Sequence, residues 1–165
     1  MESRPALPSD AANDSQRRLN VFFDVDYTII SAYGLLRPGV KECFQQLIDA
    51  GHTLHIWSGV GLRWHEVRAH QLEPYIAGVY VKPTWNYREE WNRQKIGVEP
   101  DLIVDDHQEI VQVFGGIVVR PYFYPDERDK EMEGISQAIR SYAETGRSLH
   151  PRFFPPRRQN PNGNR

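Results

Sequence analysis

Asp24-Val25-Asp26-Tyr27-Thr28 sets two carboxylates two residues apart, directly after an apolar run. A carboxylate at a strand end can attack phosphorus and carry the phosphoryl group as an acyl-phosphate. A second carboxyl on the departing chain can protonate the leaving oxygen, then activate water to cleave that intermediate. Two anions repel, so a carboxylate approaching a phosphate needs a cation between them. Magnesium, which takes oxygen ligands and keeps positions open for water and phosphate, suits that place. Three further stretches carry groups fitted to the same chemistry. Ser58 and Gly59, after Leu54-His55-Ile56-Trp57, offer a small hydroxyl and a free backbone N–H for a phosphate oxygen. Lys82, after Val79-Tyr80-Val81, supplies positive charge for the phosphoryl oxygens and the nucleophile. Asp105 and Asp106, after Leu102-Ile103-Val104, add carboxylates to complete a magnesium shell. Singly, each of these is a common turn composition. Their order, each at the end of an apolar run, sets them apart.

The elements that must position these groups alternate along the chain. Apolar runs rich in β-formers predict strands over Leu19 to Asp24, Thr53 to Trp57, Gly78 to Val81, Leu102 to Val104 and Ile117 to Val119. Helical spacing predicts helices over Pro38 to Ala50, Leu62 to Leu72, Tyr87 to Ile96, His107 to Phe114 and Asp126 to Tyr142. Pro38 suits a first helical turn and Gly51 a C-terminal cap. Strand and helix in alternation imply a parallel sheet covered on both faces. Ligands in such sheets bind beyond the C-terminal strand ends. Asp24, Asp26, Ser58, Lys82, Asp105 and Asp106 all fall at those ends and are expected to share one rim.

The four stretches FFDVDYTI, LHIWSG, VYVKP and LIVDD together resemble the signature of the haloacid-dehalogenase superfamily of aspartate-nucleophile phosphatases, over roughly Leu19 to Ala143. The resemblance implies a Rossmann-like three-layer α/β/α sandwich with a mostly parallel five-stranded sheet and strand one at its centre. It implies that Asp24 is the nucleophile and a metal ligand. Asp26 becomes the acid/base and a ligand through its backbone oxygen. Ser58, Gly59 and Lys82 bind phosphate, Asp105 and Asp106 hold Mg2+, and Thr28 braces the first loop. The segments from Thr28 to Ser58 and from Ser58 to Lys82 are too short for a large cap domain. The chain is therefore similar to capless members, such as the small magnesium-dependent phosphatases and the RNA polymerase C-terminal-domain phosphatases. Leu36-Arg37-Pro38-Gly39-Val40 and Asp129-Lys130-Glu131-Met132 are reminiscent of the latter, although Tyr27-Thr28-Ile29 stands where Leu-Thr is usual.

Composition bounds the rest. The chain has 165 residues, 39% apolar and 25% charged, the range of one folded domain with short tails. The expected division is a flexible lead over 1–18, a phosphatase domain over 19–146 and a basic, Pro- and Asn-rich disordered tail over 147–165. A single cysteine, Cys43, excludes a disulfide framework and fits a reducing compartment, cytoplasmic or nuclear. No apolar run is long enough for a membrane span. The tail after Glu144 carries Arg147, Arg152, Arg157, Arg158 and Arg165 and no acid, which suits either solvation or an anionic partner. The expected substrate is a phosphorylated small molecule, a phosphoprotein or a nucleic-acid end.

Other functions fit less well. A dehalogenase has no use for Asp26 and the later acid pair, and a receiver domain opens with its acid pair. A phosphate-recognising module need not keep a nucleophile and an acid/base together. A phosphotransferase on the same nucleophile remains a rival. His65 and His70 lack the i, i+4 spacing of a helical zinc pair. His107 rims the acid pair, and Glu109 reads as a solvated acid near a helix N-terminus. Tyr27, Tyr33, Trp64, Trp85, Tyr87 and Trp91 fall near strand-end loops, where they either pack or grip a substrate.

Overall fold

Phe22 and Phe23 decide the layering. Successive strand side chains point to opposite faces, so two adjacent phenylalanines oblige the protein to bury both faces of the strand that carries them. The computed structural model describes residues 17–156. β1 (Asn20–Phe23), β2 (Thr53–Ser58), β3 (Ile76–Val81), β4 (Leu102–Asp105), β5 (Gly116–Val118) and β6 (Phe153–Phe154) form one sheet in the order β3-β2-β1-β4-β5-β6. All pairings are parallel except that of β5 with β6. The helices are α1 (Val40–Asp49), α2 (Trp64–Ala69), α3 (Tyr87–Gln94), α4 (Gln108–Phe114) and α5 (Glu131–Thr145).

Each face has its own core. Phe23 joins Val40, Phe44 and Leu47 of α1 and Met132, Ile135 and Ile139 of α5. Phe22 joins Trp57, Trp91 of α3, and Ile110, Val111 and Phe114 of α4. The rings of the second core meet edge to face: Phe22 on Trp57 at 5.3 Å, and Trp57 on Trp91 and Phe114 at 5.5 Å each. Such pairs add to the stabilisation from area burial alone. The result is an α/β fold of Rossmann-like type, with β1 in mid-sheet. No helix among the described residues is long and apolar enough to cross a membrane.

The elements depart from expectation in three places. The sheet has six strands rather than five, because Phe153 and Phe154 pair antiparallel with Ile117 and Gly116. Residues 152–154 of the tail expected to be disordered from 147 are therefore part of the fold: Arg152 donates to the Val118 carbonyl (2.8 Å) and ion-pairs with buried Glu131. Arg157, Arg158 and Arg165 lie outside the described residues, as do residues 1–16 of the expected lead. Of that lead, Arg17 bonds the Ala143 carbonyl (3.3 Å) and lies over the Tyr142 ring. Finally, the last helix starts at Glu131, not Asp126. Asp126 instead accepts from the Arg128 backbone in a short turn (3.0 Å), as aspartates readily do. Gly116 is required where β5 begins: a Cβ there would lie 1.8 Å from the Ile103 carbonyl oxygen.

His55 is a buried misfit in β2. Its ring stacks on Phe22 at 4.6 Å, and neither ring nitrogen has a hydrogen-bond partner. Burial pushes its pKa down from 6.5 to about 4. The unfolded chain thus takes up a proton below pH 6.5 that the folded chain refuses until about pH 4, and folding loses stability as pH falls through that window. His55→Phe keeps the stacked shape without the titration. Denaturant unfolding should find this variant at least as stable as wild type at neutral pH. Its advantage should grow by on the order of 2 kcal/mol on acidification towards pH 4. A pH-independent difference between the two proteins would show that His55 takes up its proton as readily in the fold as in the unfolded chain.

Candidate active site

Strand register brings the carboxylates together. Phe23 pairs with Val104, so the residues that follow, Asp24 and Asp105, leave the sheet side by side. The Asp24 N–H donates to the Val104 carbonyl at 2.9 Å. On the other flank, Ser58 pairs with Val81, and the Lys82 N–H donates to the Ser58 carbonyl at 2.9 Å. The chain then delivers the Lys82 ammonium between the two acids: Nζ donates to Asp24 Oδ1 at 2.7 Å and to Asp105 Oδ2 at 2.8 Å. All three side chains are nearly inaccessible.

The first loop is held tightly. Thr28 Oγ1 donates to Asp24 Oδ2 at 3.1 Å, the brace expected of it. The N–H groups of Thr28, Ile29 and Ile30 converge on the Val25 carbonyl. Tyr27 takes a left-handed backbone (φ 61°), a costly conformation for a residue with a side chain. It is held by its N–H to Ile30, its carbonyl to the Tyr122 N–H (2.7 Å), and its ring on Phe123 at 4.8 Å.

These groups face an open cavity of about 660 Å³. Asp24, Asp26, Tyr27, Ser58, Gly59, Lys82, His107 and Glu109 line it on the polar side, with Val60, Pro83, Tyr87 and Ile110 among the apolar lining. Ser58 is buried, and its Oγ accepts from the Val60 N–H at 3.3 Å. Gly59 passes close to the neighbouring loop, where a Cβ would come within 3.1 Å of Thr84. Every residue singled out from sequence as catalytic or phosphate-binding thus lines one cavity, and Asp105 and Asp106 stand beside it.

The electrostatics are lopsided. Burial and then Asp105 push the Asp24 pKa up to about 7, against the opposing pull of Lys82. Burial works against the Lys82 charge, but Asp24 and Asp105 outweigh it and hold Lys82 above its usual value. Burial also raises Asp106, against His107. Negative charge is therefore in excess, and a cation would relieve it. Asp105, Asp106 and His107 lie close enough to share one metal ion. His107 here is an ion-pair partner: its Nδ1 lies 3.0 Å from Asp106 and 3.3 Å from Asp105. The Asp105 hydrogen bond, against burial, pushes His107 up to about 9. Asp106, expected as a metal ligand, is thus also engaged by the His107 imidazole. The carboxylate-rich donor set fits a hard, oxygen-seeking divalent cation.

Two partnerships escaped the sequence reading. Arg63 ion-pairs with Asp26 and also reaches Glu66 at 2.9 Å. Arg37, 2% exposed, clamps Asp129 with two bonds of 2.9 Å. It also donates to the carbonyls of Thr28 (3.2 Å) and Arg120 (3.0 Å) and lies over the Tyr122 ring. Arg37 therefore ties the Asp24–Thr28 loop to the 120–129 segment. The pairing of the Leu36–Val40 and Asp129–Met132 stretches was the available signal. Set against known proteins, the chain matches no family model and no curated protein at a significant level.

Arg37→Met would leave Asp129 and two carbonyls without their donor. Breaking a buried pair this way costs about 3–5 kcal/mol, so denaturant unfolding of the variant should show a loss of that size. A loss below about 1 kcal/mol, the range of exposed pairs, would mean the brace is not needed.

Proposed function

We propose that the protein is a magnesium-dependent phosphomonoester hydrolase that works through an aspartyl-phosphate at Asp24, a capless member of the haloacid-dehalogenase superfamily. The observation that carries this reading is the Lys82 bridge between buried Asp24 and Asp105 on the floor of an open cavity, with Ser58 and Gly59 beside it. In this reading the phosphoryl group of the substrate lies against Ser58, the Gly59 N–H and Lys82. An Asp24 oxygen attacks phosphorus while the ester P–O bond breaks, and Asp26 gives a proton to the departing oxygen. Asp26 then takes a proton from water as that water attacks the phosphorus of the acyl-phosphate, which frees Asp24 and inorganic phosphate.

Asp24 must be ionised to attack, yet its pKa stands at about 7 with Lys82 as its sole direct cationic partner among the described residues. Asp24, Asp105, Asp106 and the Asp26 backbone oxygen are the groups that would hold Mg2+. The bound ion would supply charge for the attacking carboxylate and the phosphoryl oxygens. Solvent access at the cavity leaves room for a small phosphate ester, a phosphoprotein or a nucleic-acid end.

Phosphate release from an aryl phosphate and a panel of phosphomonoesters, with Mg2+ and with chelator, tests the proposal. Release should need Mg2+. It should fall by about 10³-fold or more in Asp24→Asn and by about 10²-fold or more in Asp26→Asn. Binding of inorganic phosphate without turnover of any ester would favour a phosphate-recognition module instead. Transfer to an added alcohol in preference to water would favour a phosphotransferase.

A further inference from the structure

Asp26 is the exposed member of the carboxylate set, with 38% of its side chain accessible, and the Lys82 network does not reach it. A carboxyl on a loop end with that freedom samples several rotamers. General acid catalysis requires one orientation, with the proton-bearing oxygen facing the leaving group. Some other group must therefore hold the Asp26 side chain.

Arg63 has the position to do so. Its side chain is 13% exposed, Nη1 is hydrogen-bonded to Asp26 Oδ2, and Nη2 is held by Glu66 at 2.9 Å in the first turn of α2. The fork is fixed from behind by Glu66 and presents its front to Asp26. Among the described residues, Asp26 Oδ1 has no hydrogen-bond partner. Asp26 and Tyr27 also separate the main cavity from a smaller one of about 330 Å³, and Arg63 lines only the smaller. Arg63 thus approaches Asp26 from the side away from Ser58 and Lys82. The oxygen it anchors is Oδ2, which leaves Oδ1 for proton transfer.

Chain connectivity adds a link. Arg63 lies just past the Ser58–Gly59 turn, across Val60, Gly61 and Leu62, where Gly61 adopts φ 119° and Val60 and Leu62 are exposed. The loop expected to hold the phosphoryl oxygens therefore also carries the group that orients Asp26. An anion-binding role for Arg63 is disfavoured, because both of its Nη nitrogens are already on carboxylates.

We infer that Arg63 is the positioning residue for Asp26, holding one carboxyl oxygen so that the other serves the leaving group. This rests on the phosphatase reading and adds to it a residue outside the four sequence stretches. In the reaction, the ester P–O bond breaks as the proton passes from Asp26 Oδ1 to the departing oxygen. Arg63 donates its hydrogen bond throughout and exchanges no proton.

The test uses the full-length chain with Mg2+ and aryl and alkyl phosphates ranging from a good leaving group (nitrophenol) to poor ones (phenol, a simple alcohol). Wild type, Arg63→Met, Arg63→Lys, Asp26→Asn and the Arg63→Met/Asp26→Asn double variant are compared, with melting temperatures to confirm folding. Nitrophenolate leaves with little help, so Arg63→Met should lose only a few-fold in kcat there. The loss should grow to about 10²-fold with the poor leaving groups, the size of a general-acid contribution. KM should hardly change, and Arg63→Lys should recover part of the loss. In the Asp26→Asn background, Arg63→Met should cost almost nothing more, because both act through one carboxyl. An equal loss across all leaving groups, a loss carried in KM, or additive losses in the double variant would overturn the assignment. A wild type that hydrolyses none of the esters, while Arg63→Met melts normally, would remove the reaction itself and this role with it.

Discussion

Everything at the rim depends on one ammonium group placed between two buried carboxylates. Lys82 meets Asp24 and Asp105 at 2.7 and 2.8 Å, and the three charges come from the ends of β3, β1 and β4. Buried ions are costly unless each finds a partner. The parallel register of β1 with β4 forces Asp24 against Asp105, so without Lys82 the two strand ends would repel in a poorly solvated place. The two unlike cores matter for the same reason. They fix the sheet from both faces, and a fixed sheet keeps these strand ends within hydrogen-bonding reach. Lys82 does not cancel the full negative charge. The deficit at Asp24 is the physical argument for a divalent cation in the proposed reaction.

A second layer of charge organises the loops around this centre. Arg37 binds the Asp24–Thr28 loop to the 120–129 segment through buried bonds, and Glu131 gathers Arg120 and Arg152 a short way on. The start of α5, the return from β5 and edge strand β6 are thereby tied to the loop that carries the candidate nucleophile. Polar networks of this kind specify one arrangement, because each buried member left alone would be penalised. They hold the loop at Asp24 through buried bonds, whereas Val60 and Leu62 on the Ser58 side of the rim are exposed.

The strands and their terminal residues were legible because their signals are local. Short β-branched and aromatic runs ending in Asp, Ser or Lys can be read without knowing what they touch. Their convergence followed from the rule that parallel strands present their C-terminal ends on one side. What was not legible depends on partners far along the chain. Arg37 and Asp129 are separated by 92 positions, and beyond the shared resemblance of their two stretches nothing in the sequence announces the contact. Arg63 sits in a loop of ordinary composition and acquires meaning only from Asp26. Phe153 and Phe154 form a two-residue strand inside a stretch rich in proline and arginine, where the edge of β5 decides the conformation and propensity does not. The early start assigned to the last helix has a local cause. Asp126 suits a helix N-terminus as well as a turn, and it accepts from the Arg128 backbone in a turn instead.

The most direct test of the central claim is to trap the covalent intermediate. The protein would be mixed with Mg2+ and a phosphomonoester that it turns over, quenched during turnover, and treated with borohydride. The reagent reduces an acyl-phosphate to an alcohol and leaves a free carboxylate unchanged. Peptide mass spectrometry would then locate the reduced residue. The account predicts homoserine in place of Asp24, dependent on both substrate and Mg2+, with Asp26 and Asp105 intact. Turnover with Asp24 unmodified and another residue reduced, or with no residue reduced under any quench, would contradict it.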